Sequence, residues 1–332
     1  MPKKIVILGG GTAGWMAANL FARKWTSEQA TVTLIESPDI GIIGVCEGST
    51  PTLKSFFEII DVDDAEWMPR CNATYKVNIR FVGWSPESGI DSYSHPFVSQ
   101  VDTFTQKPFK VNCLTRRLGL DVHTRPDDFF LNGLLAREEK GPQAPQSFPF
   151  VVEYGYHFDS GLLGEYLAEL AVARGVSHVQ AKIVDVEQRD NGDIATLLSE
   201  GGERFEADFF VDCTGFASVL MQKTLGVKFQ SFKSNLFNDS AVVMATPRED
   251  SLPVETVSYA MSNGWCWKIP LTNRFGNGYV YSSDFISEND AETELRTFLG
   301  MLNSDEATRH LKMRVGQLGT HWQNNCIGIG LS

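Results

Sequence analysis

Lys3-Lys4-Ile5-Val6-Ile7-Leu8-Gly9-Gly10-Gly11-Thr12-Ala13-Gly14-Trp15 stands at the start of the chain, and its reading decides the fold. Ile5 to Leu8 is a continuous apolar run ending in glycine, as a parallel strand covered on both faces would be. Gly9, Gly11 and Gly14 follow at G-x-G-x-x-G spacing. From Trp15 to Trp25 apolar residues recur at 16, 17, 20, 21 and 25, which predicts an amphipathic helix. A second strand, Thr31 to Ile35, ends on Glu36. Strand, glycine turn, helix and strand in this order make a dinucleotide-binding unit. One glycine permits the tight turn, another lets the backbone approach a pyrophosphate, and the third packs helix on strand. The helix start at Thr12 and Ala13 offers unpaired N–H groups to phosphates, and Glu36 is placed to accept from ribose hydroxyls.

Outward from this unit, a glycine-rich connection runs from Pro38 to Pro51 and a helical stretch from Leu53 to Ile60. Residues 70 to 150, rich in Phe, Pro and Asp, read as strands and long loops of a second lobe. Gly161 to Arg174 is helical in pattern and closed by Gly175. A strand near Ser177 to Gln188, the Asn191-Gly192 turn, a strand to Leu198 and the Gly201-Gly202 turn predict a β-meander. Phe209-Phe210-Val211-Asp212-Cys213-Thr214-Gly215 is another buried strand ending in glycine. Residues 230 to 290 alternate like sheet, Leu295 to Leu302 reads as helix, and Cys326-Ile327-Gly328-Ile329-Gly330-Leu331-Ser332 as a last strand.

Composition removes several classes of function. The 332 residues carry a formal charge of −12, and no Lys/Arg-rich block stands out, so clustered cations for nucleic acid are missing. Six cysteines and six histidines show no CxxC or HxxxH spacing, which predicts reduced thiols, no metal site and a cytoplasmic location. The run Ile5–Leu8 is too short for a secretory leader, and no stretch of about 18 apolar residues spans a membrane.

The choice between NAD and FAD turns on the later segments. The helix, meander and strand ending in Asp212, Thr214 and Gly215 resemble the second fingerprint of flavoprotein hydroxylases, and the segment through Gly330 resembles their third flavin-contacting strand. FAD is therefore expected. The fold class is α/β: an FAD-binding Rossmann-like domain of the flavoprotein monooxygenase type with a mixed, β-rich second lobe. Residues 1–65, 155–228 and 308–332 are assigned to the FAD-binding domain, and 66–154 and 229–307 to the substrate-side lobe.

Three stretches are more specific. Gly9 to Trp15 resembles the glycine loop of the flavin-dependent, tryptophan-type halogenases. Ile43-Gly44-Val45-Cys46-Glu47-Gly48-Ser49-Thr50-Pro51-Thr52-Leu53 resembles the strap that joins flavin and substrate sites in that family. Trp265-Cys266-Trp267-Lys268-Ile269-Pro270 matches its W-x-W-x-I-P signature. Ala73-Thr74-Tyr75-Lys76 stands where the family has the segment bearing its catalytic lysine. The resemblance implies that FADH2 from a separate flavin reductase, with O2, oxidises chloride or bromide to hypohalous acid. Lys76 would relay that species, by hydrogen bond or as a haloamine, to an electron-rich aromatic such as tryptophan or indole. An amine suits this, because it is a donor whose pKa falls on burial. The resemblance further implies that Trp265, Trp267 and Pro270 wall the flavin and that Thr50 contacts the cofactor. On the residues themselves, Glu47 is either a carboxylate near Lys76 or a surface acid, and His95 and Phe97 either line the aromatic pocket or belong to an ordinary loop. A homodimer is the default assembly.

The strap departs from the family at Cys46 and Gly48, where Gly and Ala are usual. The chain also stops at Ser332, where family members continue, so a truncated and weakly active form with poor FAD retention is expected. Competing readings are an aromatic monooxygenase, which would need its own NAD(P)H site, and an inactive FAD-binding fragment. An NAD-dependent dehydrogenase comes last.

Overall fold

A computed structural model describes residues 1–41 and 47–332. The first four residues of the strap, Ile43 to Cys46, lie outside the described residues.

The opening unit forms as its pattern dictates: strand Lys3–Leu8, helix Thr12–Lys24, strand Ala30–Glu36. These strands join Phe209–Asp212, Ser177–Gln180, Cys326–Gly328 and Trp322–Gln323 in a six-stranded sheet, parallel except for the terminal hairpin. Alternate side chains of its central strands enter two cores. Ile5, Ile7, Val32 and Leu34 pack under the helices Thr12–Lys24 and Ser160–Ala173. Val6, Leu8, Ile35 and Phe210 pack under the meander of Ile183–Gln188, Ile194–Ser199 and Arg204–Glu206. Leu34 and Leu167 are fully buried, each contributing about 1.5–3 kcal/mol by transfer from water. The two helices are tied by Asn19, whose Nδ2 donates to the carbonyls of Trp15 at 2.9 Å and Leu167 at 2.8 Å.

The second lobe is built on a seven-stranded sheet in the order Thr308–Lys312, Ser240–Pro247, Arg274–Tyr281, Gly264–Pro270, Glu255–Met261, Asn78–Val82, Ser92–Pro96. Only the pairing of Glu255–Met261 with Asn78–Val82 is parallel. Helix Glu288–Phe298 covers one face through Ala291 and Leu295. The other face carries Trp265, Trp267, Gly276 and Gly278. Between the lobes lies a two-stranded ribbon, Thr74–Lys76 with Gly155–His157.

Three expectations need correction. The stretch 70–150, read as strands and loops, also holds helices Thr103–Arg117 and Leu131–Arg137. The first has Pro108 inside it, which argues against a helix in a sequence reading, and no buried residue: its apolar Phe104, Val111 and Leu114 are exposed. The helix expected at Leu295 to Leu302 begins earlier, at Glu288, where Ser287 accepts from the Asp290 N–H at 3.2 Å. The strand Thr308–Lys312, assigned with the FAD-binding residues, pairs instead with Ser240–Pro247 in the seven-stranded sheet. No helix among the described residues is long and apolar enough to cross a membrane, and none of their His, Cys, Asp and Glu side chains group to hold a metal ion.

Candidate active site

The glycine turn brings distant parts of the chain together. Gly9 has φ +116°, and a Cβ there would enter the Cys213 backbone. A Cβ on Gly14 would enter the Gly9 carbonyl, so helix and strand are in backbone contact. Gly11 differs: a Cβ would meet nothing within 4 Å, which leaves space over the helix start. That helix has no side-chain cap, so the first N–H groups, at Thr12 and Ala13, face this space with a positive dipole end. Gly330, at φ +76°, would place a Cβ 2.9 Å from Ala13 Cβ. Gly215, at φ +61°, donates its N–H to Ser332 Oγ at 2.9 Å. The three segments singled out in the sequence thus meet at one helix N-terminus.

Two of the carboxylates are held internally. Asp212 is fully buried and accepts from the N–H groups of Thr214, Leu220 and Met221 and from the Thr214 hydroxyl at 2.6 Å. It holds the turn after the strand and does not reach outward. Glu36 lies against Gly10 and pairs through Oε1 with His178 Nε2 at 2.6 Å. Thr50 is exposed, its hydroxyl bonded to that of Thr52 at 3.3 Å.

Lys76 ends the ribbon strand facing the second lobe. It is only 6% exposed and has no hydrogen-bond or ionic partner among the described residues. Burial alone pushes its pKa down to about 8. Lys76 pairs in register with Gly155, and its Nζ lies 3.5 Å from the point where a Gly48 Cβ would stand. Ile269 Cδ1 is 3.8 Å from that point, and the Phe97 ring centroid is 5.8 Å from Nζ. The strap residues that follow the undescribed segment are pinned to the neighbouring strand: Phe158 N–H donates to the Glu47 carbonyl at 2.9 Å and Ser49 N–H to the Tyr156 carbonyl at 2.8 Å.

Glu47, a candidate partner of Lys76, is buried and ion-paired with Arg274, which also reaches Asp159 Oδ2 at 3.2 Å. Its pKa is raised, because burial outweighs the hydrogen bond and charge of Arg274. A Cβ on Gly276 would collide with its carboxylate, so that glycine makes its berth. Glu47 therefore stands beside Arg274 in place of Lys76.

Trp265 and Trp267 lie 6.0 Å apart between ring centroids, on the sheet face shared with Ile269. The Trp267 ring lies over Gly278, where any Cβ would enter the indole. The G-x-G at 276–278 is therefore used for packing, one glycine under Glu47 and one under Trp267. Aromatic rings continue along the face: Trp84 is 6.4 Å from Trp265, and Phe81 stacks on Tyr93 at 5.2 Å. His95 is exposed at the far edge, 6.5 Å from Phe81. Pro270 is joined to the lysine strand, since its carbonyl accepts from the Thr74 hydroxyl at 2.7 Å.

Thr74 also meets His157 Nδ1 at 3.0 Å, and His157 Nε2 meets the Thr256 hydroxyl at 2.8 Å. His157 is fully buried, and its pKa falls well below 6.5 through burial and the nearby Lys76 charge. Sequence reading missed His157, Thr256 and Arg274. No spacing signal marks them, because they are brought to the site by strand pairing.

Comparisons with known proteins cover nearly the whole chain. A family model described as tryptophan halogenase matches residues 4–332. The tryptophan 6-halogenase SttH of Streptomyces toxytricini is 38% identical, the match covering 100% of this chain and 67% of SttH. Its crystal structure superposes with a TM-score of 0.85 at 35% identity, over 99% of this chain and 67% of that one. A flavin-dependent halogenase from Xanthomonas campestris gives a TM-score of 0.86 at 32% identity, over 100% of this chain and 66% of that one. The chain thus spans about two thirds of the length of these relatives.

Proposed function

The chain belongs to the tryptophan halogenase family, and from that premise we propose that it is an FADH2-dependent halogenase acting on an electron-rich aromatic such as tryptophan or indole. The observation that carries this reading is the buried Lys76 amine beside the strap, without a hydrogen-bond or ionic partner among the described residues, its pKa lowered to about 8. FAD is the group the family implies, and the residues present fit it. The open space at Gly11, the uncapped helix start and the converging Gly215 and Gly330 turns form a cradle, and the bare Gly9 and Gly14, where any Cβ would strike neighbouring backbone, let the turn that shapes it close. Gly9, Gly11, Thr12, Ala13 and Gly14 would hold the pyrophosphate, Glu36 a ribose, and Thr50, Thr214, Gly215 and Gly330 the neighbouring cofactor edge. When bound and reduced, with O2, FAD supplies the oxidising power that turns chloride or bromide into hypohalous acid.

The protein residues then have separate tasks. Lys76, near neutrality a mixture of amine and ammonium, holds the hypohalous acid by hydrogen bond or carries its halogen as a haloamine. Trp265 and Trp267 screen the cofactor from the aromatic substrate, with Pro270 closing their strand. Phe97 and His95 lie on the substrate side. Glu47, through Arg274, anchors the strap that joins the two sites. A separate flavin reductase supplies the reduced flavin, and the two lobes divide cofactor and substrate binding.

The direct test is bromination of indole and of tryptophan by the purified protein with FAD, a flavin reductase, NADH and bromide. Brominated product above a control without protein supports the reading. Hydroxylated product would replace it with the monooxygenase reading. Cofactor placement has its own test in Gly14→Ala. The added Cβ enters the Gly9 carbonyl, an overpacking that costs about 1–3 kcal/mol and pushes the helix start from the cradle. FAD titrated by fluorescence quenching is expected to bind at least tenfold more weakly. Unchanged affinity would remove the cofactor from this turn.

A further inference from the structure

We propose that His157 is a positioning residue for Lys76: a permanently neutral imidazole, protonated at Nδ1, that fastens the lysine strand, the strap and the tryptophan strand together and so fixes where the lysine amine lies. The inference rests on the halogenase reading for its consequence and on geometry alone for its tautomer.

The tautomer follows from hydrogen bookkeeping. The Thr74 hydroxyl has a single hydrogen, and its bond to the Pro270 carbonyl at 2.7 Å uses it, because a carbonyl can only accept. Towards His157 Nδ1, 3.0 Å away, Thr74 can then only accept, so Nδ1 carries a hydrogen. Among the described residues, the groups placed against the ring are Lys76 and Thr74 from the lysine strand, Gly48 from the strap, and Thr256. None is acidic, and the nearby carboxylate of Glu47 is committed to Arg274. A charged imidazole would be a buried cation beside a second cation, which burial penalises. Nε2 is therefore bare and accepts from the Thr256 hydroxyl at 2.8 Å.

Four segments meet at this residue, two held by its backbone and two linked through the hydrogen bonds of its ring. His157 pairs in register with Thr74 on one side and bridges to Gly48 on the other. Thr256 links it to the strand beside Trp267, since Ser258, two residues on, is the register partner of Trp267. Pro270, through Thr74, links it to the end of the W-x-W-x-I-P segment. The point 3.5 Å from Lys76 Nζ where a Gly48 Cβ would stand is also 3.6 Å from His157 Cδ2. The ring thus presents a carbon edge to the amine pocket while both nitrogens are engaged by threonines. It gives the amine no acceptor to collapse onto. Its one nucleophilic nitrogen is also hydrogen-bonded, so it does not compete with Lys76 for an electrophilic halogen.

Two measurements test this. In 15N-histidine NMR of the protein without flavin, His157 is expected to show a neutral ring protonated at Nδ1 and no titration between about pH 5 and 9. A signal that titrates near its ordinary value, or an Nε2-protonated ring, overturns the proposal. In the reconstituted reaction, brominated indole is compared with hypobromite caught by an added trap. At saturating FAD, Thr256→Val and His157→Phe are expected to lower the ratio of product to trapped hypobromite about threefold and tenfold. His157→Gln, which can still accept from Thr256, should restore part of the ratio. An unchanged ratio in folded His157→Phe overturns the positioning role, and if that variant fails to fold, the isosteric Thr74→Val decides the same question. A parent chain that makes no hypobromite overturns the halogenase reading instead, and the NMR result then judges the tautomer alone.

Discussion

Lys76→Met is expected to be more stable than the parent chain at neutral pH and unable to halogenate. Lys76 is 6% exposed, without an ionic partner among the described residues, and burial lowers its pKa to about 8. In the unfolded chain a lysine titrates near about 10.4. The sign then runs one way. Above that value the amine is neutral in both states and costs nothing. As the pH falls towards 8 the unfolded chain takes up the proton first and the fold loses stability. Below 8 the loss is complete, roughly 3 kcal/mol at about 1.4 kcal/mol per unit. Methionine fills a similar volume and never ionises, so the variant should regain that amount. Thermal unfolding at pH 7 and near pH 10 checks it: the stability gap should close as the pH rises. A variant less stable than the parent at pH 7 would contradict the burial argument.

The same substitution should cut aromatic bromination by about 10²–10⁴-fold, the range that a positioned proton-transfer group contributes, while O2 consumption and trapped hypobromite persist. Its pH profile separates the two chemistries open to the lysine. A haloamine requires neutral amine, so the parent rate would rise through pH 8. A hydrogen-bond donor requires ammonium, so the rate would fall across the same range. Retained bromination in Lys76→Met would remove the lysine from the mechanism.

The opening nucleotide unit could be read from the sequence because each local signal agreed with the fold around it. An apolar strand, spaced glycines, an amphipathic helix and a terminal Glu36 formed in register with one another. The residues joined across the lobes could not be read this way. Lys76 lay in a recognisable segment, yet the space around its amine depends on Gly48 of the strap, where a Cβ would stand 3.5 Å from Nζ. His157 was one of six histidines with no spacing signal, and Arg274 was one more arginine. Their roles come from pairings between residues up to 227 positions apart, as with Glu47 and Arg274. The helix Thr103–Arg117 was missed for a local reason: Pro108 inside it reads as a helix breaker.

That long-range pair supports the other large expected effect: Arg274→Met should be strongly destabilised and relatively rescued by acid. Glu47 is 7% exposed, and its guanidinium partner offsets a burial cost that already raises its pKa. Removing one partner of a buried ion pair costs about 3–5 kcal/mol. Arg274 keeps about a quarter of its side chain in solvent, so a loss of about 2–4 kcal/mol is expected. Without Arg274 the pKa of Glu47 rises further, because the opposing hydrogen bond and charge are gone. A carboxyl with a raised folded pKa is destabilising above that pKa, where it must ionise in the fold. The penalty fades as the pH falls through the folded value, and it is absent below the unfolded value near 4.3. The stability difference between parent and variant should therefore narrow on acidification, the reverse of ordinary acid unfolding. Glu47→Gln added to Arg274→Met should recover much of the loss and abolish the pH dependence of the difference. Urea unfolding of the four chains from pH 5 to 8 gives the complete double-mutant cycle. A deficit independent of pH would mean that Arg274 acts through Asp159 or by packing alone. The pair also holds the strap, because the Glu47 carbonyl accepts from Phe158 beside the ring of His157. Loosening it should weaken FAD binding in Arg274→Met and leave it near normal in the double variant, where the carboxylate that must escape burial is no longer present.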